Sequence, residues 1–151
     1  MIPLVILLVT FVLALVSIKI ITQQYHFKLA ASIAMSVMLV FTGTAHFVYT
    51  KGMALMVPKV IPLKTTVVYL TGVLEIVLAV TLVIPKTRMF AGCILIIFLI
   101  VLLPANIVAA ANSVDYRLGT SSGPGWSYLW FRIPLQLFFI LWAYGSAQMH
   151  R

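Results

Sequence analysis

The stretch Thr65–Ile84, TTVVYLTGVLEIVLAVTLVI, decides the fold. It has the length that an α-helix needs to cross a bilayer, about 20 residues at ~1.5 Å each. Its one charged side chain, Glu75, falls at the middle. An ionisable group at the bilayer centre costs at least ~2.5–3.5 kcal/mol on insertion scales, and by default it marks a functional candidate with a partner.

Similar apolar runs lie on both sides, at Ile2–Ile21, Leu29–Tyr49, Met89–Ala111 and Ser127–Ala147. Of the 151 residues, 64% are hydrophobic and only 8% charged. A soluble domain carries about a quarter charged residues, so lipid is the expected solvent for most of the chain. The mean hydropathy of +1.19 agrees. No alternation typical of membrane strands, internal repeat or heptad stands out. The reading is an all-α membrane protein with five transmembrane spans. A signal-peptide reading of the first run is disfavoured: no basic residue follows Met1, and no small-x-small cleavage site follows Ile21.

The net charge of +8 comes from ten cations and two acids. Lys19, Lys28, Lys51, Lys59, Lys64, Lys86, Arg88, Arg117 and Arg151 sit near or between the ends of the runs, where they meet headgroups and set orientation. None forms a basic cluster with interleaved aromatics, so no nucleic-acid partner is expected. With five spans, Lys19, Lys28, Lys86, Arg88 and Arg151 share one side, against Lys51, Lys59, Lys64 and Arg117 on the other. That bias places the N-terminus outside and the C-terminus inside. Cys93 stands alone in an apolar run and reads as a small buried hydrophobe. Any redox chemistry would therefore borrow an electron carrier. Of the outer connections, the Pro-broken Lys51–Lys64 segment should lie along the interface, and the Gly-rich Asn112–Trp126 segment should be mobile.

The remaining polar residues come from four runs and share the outer half of the bilayer. Glu75 is either a structural ion pair or a protonatable group in a site. Arg132, with Gln136 a turn later on the same face, is its expected partner, although a snorkelling arginine is the plainer alternative. His46 is a site histidine or an interfacial one. Asn106 follows Pro104, which frees a backbone carbonyl that Asn106 could satisfy. Tyr69 and Gly72 precede Glu75 at three-residue steps, and the glycine admits a ligand or a helix. The candidate ligand-binding set is His46, Tyr69, Gly72, Glu75, Asn106, Arg132 and Gln136, with Glu75 and His46 as proton acceptors. No metal site is expected. Trp126, Tyr128, Trp130 and Trp142 read as an aromatic belt.

The series Thr42–Gly43–Thr44–Ala45–His46–Phe47, Met56–Val57–Pro58, Tyr69–Leu70–Thr71–Gly72–Val73–Leu74–Glu75, Pro85–Lys86–Thr87–Arg88, Pro104–Ala105–Asn106 and Arg132–Ile133–Pro134–Leu135–Gln136 resembles the DoxX-like family of small integral membrane proteins. The resemblance runs from about Met38 to Tyr144. It implies a four-helix transmembrane bundle over residues 26–151, with residues 1–25 as an additional N-terminal transmembrane helix, in a bacterial cytoplasmic membrane. Some members of that family are linked to quinone-coupled thiosulfate oxidation or oxidative-stress complexes, and distant relatives include assembly factors.

Three functions follow as expectations. One is a membrane subunit of a quinone-linked redox system, with a quinone or lipid-like ligand in the outer-half pocket. The second is a non-enzymatic assembly or binding protein, acting on a protein partner or as a homo-oligomer. The third is a small transporter, for which the chain shows no discontinuous repeats.

Overall fold

The computed structural model describes residues 2–147; Met1, His150 and Arg151 lie outside the described residues. The chain is helical: α1 (Ile2–Thr22), α2 (Phe27–Val48), α3 (Thr50–Met56), α4 (Lys64–Val83), α5 (Arg88–Val101), α6 (Leu103–Ala111) and α7 (Ser127–Ala147). Four stretches are long and apolar enough to cross a membrane: Ile2–Thr22, Phe27–Val48, Lys64–Val83 and the α5–α6 stretch Arg88–Ala111. The fifth expected run forms α7, 21 residues with Pro134 inside.

Among the main helices, α2 packs on α4 and α7, and α5 packs on the same two. They form a four-membered ring in which α4 and α7 face each other across one diagonal. Its centre is apolar, filled by residues such as Met35, Leu39, Leu82, Leu95 and Ala143, each fully buried or nearly so. α1 leans on α2 from outside, with Leu7 buried and Phe11 set edge-on to Trp142 at 5.1 Å. The exterior is apolar as well: Leu13, Val80, Phe90, Ile97 and Leu141 are each more than half exposed. A molecule greasy on both sides of its helices is built for a lipid surround. Cys93 belongs to that exterior, so the expected burial is corrected.

Helix breaks follow the prolines. α5 and α6 part at Leu102, two residues before Pro104, which sits in the first turn of α6. There its missing N–H leaves no intrahelical bond to be lost on its own side. The tight turn after α4 is closed from α5. The Arg88 guanidinium donates to the carbonyls of Leu82 (3.0 Å) and Val83 (3.1 Å), and the Thr87 hydroxyl donates to that of Thr81 (2.8 Å). Arg88 is therefore a buried cap on the orphan carbonyls of α4; sequence reading had assigned it to headgroups.

The 112–126 connection is tied down rather than loose. Asp115 pairs with Thr120 in an isolated bridge, and its carboxylate accepts from the backbone N–H groups of Arg117 and Leu118. Gly123 N–H donates to the Ser113 carbonyl. Abundant glycine suggests mobility, but here glycine serves close packing. A Cβ on Gly52 of α3 would stand 1.9 Å from the Tyr116 carbonyl oxygen, and one on Gly123 would stand 2.6 Å from that of Val114. α3 and this connection thus cover one end of the bundle together.

Gly52→Ala should therefore lower stability by about 1–3 kcal/mol, the usual cost of overpacking. Gly145→Ala, where a Cβ meets nothing within 4 Å, should leave it unchanged or slightly raised. Thermal unfolding of the detergent-solubilised protein reads both.

Candidate functional site

The site begins with two glycines. α2 and α4 cross at Gly43 and Gly72, where a Cβ on either residue would come within 3.0 Å of the other's carbonyl oxygen. The close approach lays His46 against α4: a Cβ on Gly72 would also meet the His46 Cβ at 2.8 Å. The reading of Gly72 as a place of close approach holds, and what approaches is α2.

On α4, His46 meets residues spaced at helical periods. Its Nδ1 lies 3.2 Å from the Val68 carbonyl oxygen and 3.1 Å from Thr71 Oγ1, and its Nε2 lies 3.4 Å from Glu75 Oε1. Val68, Thr71 and Glu75 share one side of α4, at i, i+3 and i+7. The partners fix the tautomer. A carbonyl only accepts, and the Thr71 hydroxyl donates to that same carbonyl at 2.9 Å, so Nδ1 carries a proton and donates. Nε2 is then the nitrogen that faces the carboxyl, in a contact across which a proton can be passed.

Glu75 is 5% exposed, and its second oxygen, Oε2, is buried without a protein partner among the described residues. A buried polar atom left unpaired carries a penalty of about 1–3 kcal/mol. Oε2 is therefore the point at which the pair can take something more.

A second polar group occupies the seam between α6 and α7. Tyr128 donates to Asn106 Oδ1 (3.3 Å), Asn106 Nδ2 donates to Gln136 Oε1 (3.1 Å), and Gln136 Nε2 donates to the Leu99 carbonyl. The polar side chain that reaches the backbone near the Pro104 break is thus Gln136, with Asn106 holding it in place. Both are almost fully buried, at 3% and 5%.

Two expected residues fall elsewhere. Arg132 does not pair with Glu75: α4 and α7 stand across the bundle, and His46 on the adjacent helix reaches the carboxyl first. Tyr69 lies outside the site, 43% exposed and stacked on Phe47 at 5.6 Å. Six residues turn a helix through about 600°, which leaves Tyr69 some 120° from Glu75; two three-residue steps drift off the face. The same arithmetic identifies Thr71, four residues before Glu75, as the residue that sequence reading passed over.

Among the described residues no three His, Cys, Asp or Glu side chains converge to hold a metal ion. The chemistry on offer is proton exchange at an imidazole–carboxyl contact.

The described residues are helical, with four stretches long and apolar enough to cross a membrane and a contact between an imidazole and a buried carboxyl. The chain belongs to the family described as a domain of unknown function (DUF8561), whose profile matches residues 35–147 and leaves out α1. No curated protein and no solved structure matches the chain.

Gln136→Leu should destabilise the protein by about 1–3 kcal/mol, since it strands both Asn106 and the Leu99 carbonyl. Adding Asn106→Leu should cost less than the sum of the two single changes, because the first has already broken the network. A double-mutant cycle on thermal midpoints measures the difference.

Proposed function

We propose that the chain is an integral membrane protein of five spans, and that its His46–Glu75 pair is the proton-accepting centre of a membrane subunit in a quinone-linked redox system. The observation that carries this is the buried contact between His46 Nε2 and Glu75 Oε1 with Oε2 left open. A quinol gives up protons as it is oxidised, and it partitions into hydrocarbon. A site serving it needs apolar walls and a group that takes a proton in place. The pair meets both needs. Electrons would pass to a partner, since the chain has one thiol and its described residues gather no metal-ligand set.

α7 is the fifth span in this reading. Its exposed residues Leu137 and Leu141 are apolar, while Gln136 turns inward. α1, within residues 1–25, is then an addition to a DoxX-like four-helix domain over residues 26–151. The membrane would be a bacterial cytoplasmic one. Orientation, N-terminus out and C-terminus in, rests on the cation distribution between connections. The α3 end then faces outward, with His46 near that surface.

A second reading has support of its own. Tyr128, Asn106 and Gln136 spend their hydrogen bonds on one another and on the backbone, as in a bundle that serves as a rigid, non-enzymatic docking or assembly unit.

Infrared difference spectra of the purified protein with added quinone separate the two. On redox cycling, a carboxyl C=O band should change in the wild type and be absent in Glu75→Gln, and solvent extraction should recover copurified quinone. If no quinone copurifies and no carboxyl band responds, the redox reading fails. The assembly reading would instead have His46→Gln with Glu75→Gln fold and act nearly normally as a pair, while each single change is harmful.

A further inference from the structure

Arg132 carries a charge for which the described residues supply no counter-ion. The sequence holds two acids, Glu75 and Asp115. Glu75 is taken by His46, and Asp115 accepts from the N–H groups of its own turn. Arg132 makes no ion pair with a described residue, and its Nε is buried with no hydrogen-bond partner. The residue as a whole stays partly exposed. A half-buried guanidinium left in this state is costly, and an anion from outside the chain would relieve it.

Its position says what kind of anion. Tyr128, Arg132 and Gln136 follow one another at four-residue steps, and the outer two both bond Asn106. Arg132 therefore stands at the α6–α7 seam. On the neighbouring side of α7 runs an apolar groove lined by Trp126, Leu129, Trp130, Ile133 and Pro134. Trp126 and Trp130 are 63% and 86% exposed, as aromatic residues at the headgroup level are. Pro134 has no N–H to offer the carbonyl of Trp130 four residues earlier, so an acceptor is left beside the groove. The cation and the apolar channel lie within one turn of each other on adjoining sides of α7, with the Trp130 carbonyl between them, about 8 Å below the start of the helix. That is the layout of an amphiphile with an anionic, hydroxyl-bearing head and a hydrocarbon tail.

We propose that Arg132 and this groove form a binding site for one anionic phospholipid, with the phosphate on the guanidinium and an acyl chain along Leu129 and Ile133. The proposal rests on the membrane embedding inferred above and is independent of the quinone. A zwitterionic lipid offers the same phosphate with a cation beside it that opposes Arg132 and no head hydroxyl for the open carbonyl, a difference that corresponds to about a tenfold preference for the anionic lipid.

The full-length protein in lipid nanodiscs of phosphatidylcholine with a minor share of phosphatidylglycerol tests it, with retained lipid counted by native mass spectrometry. The wild type should retain phosphatidylglycerol by that factor, and Arg132→Gln should fall to parity. Arg117→Gln, a change at an exposed loop cation, should leave the preference intact. Ile133→Trp should fill the groove and lower retention while the charge stays; it also serves if Arg132→Gln does not fold. Added inorganic phosphate should not displace the lipid, whereas displacement would assign the site to a free anion and overturn the lipid. Parity in the wild type, or equal losses in the Arg117 and Arg132 variants, would overturn the proposal outright. Failure to find quinone leaves it standing, and failure of the chain to enter nanodiscs removes both proposals.

Discussion

The rest of the structure depends on the contact of two backbones at Gly43 and Gly72. Between helices surrounded by lipid there is little hydrophobic drive to associate, and close packing of small residues takes its place. Here the two glycines bring α2 and α4 together until carbonyl oxygens nearly touch the opposite α-carbons. A larger residue at either position would hold the helices apart and lift His46 away from Val68, Thr71 and Glu75. The polar centre is thus a consequence of the missing side chains next to it. The imidazole is oriented by the Val68 carbonyl and Thr71, and Glu75 meets whichever nitrogen that orientation leaves.

The polar residues divide between two seams, and the division has chemical meaning. At the α2–α4 seam an imidazole meets a carboxyl, and one carboxyl oxygen has no partner among the described residues. At the α6–α7 seam amides and a phenol close on one another and on a carbonyl near the proline break. The first arrangement has an acceptor to spare. The second has spent its groups and fixes the relation of two helices. Between them lies a core of Leu, Met, Phe and Ala, and no hydrogen bond among the described residues joins the two seams.

Much of this was legible in the sequence because hydrophobic run length translates directly into helix length. The five runs became helices with ends shifted by only a few residues. Glu75, Asn106 and Gln136 were legible as buried because they are polar residues stranded in apolar runs, and His46 was legible as a site or interfacial histidine. Their pairing was not. Periodicity places Arg132 and Gln136 on one face of α7 but does not say which helix lies beside which. Glu75 was assigned to the far helix, when a neighbour stood closer. Tyr69 was misplaced by a small angular drift that three-residue spacing hides. Arg88 and Asp115 look like surface charges in the sequence, and only the turns around them show that they are spent on backbone groups. The Asn112–Trp126 connection misled for a related reason: glycine permits both looseness and contact, and composition does not separate the two.

Arg88 also has a bearing on how the protein is made. It belongs to α5, yet the carbonyls it satisfies belong to α4. Until that arginine has been added to the growing chain, the last turn of α4 has bare acceptors that hydrocarbon cannot serve. The two helices are therefore complete only as a hairpin, and in the membrane reading proposed above the unit to be inserted is the pair.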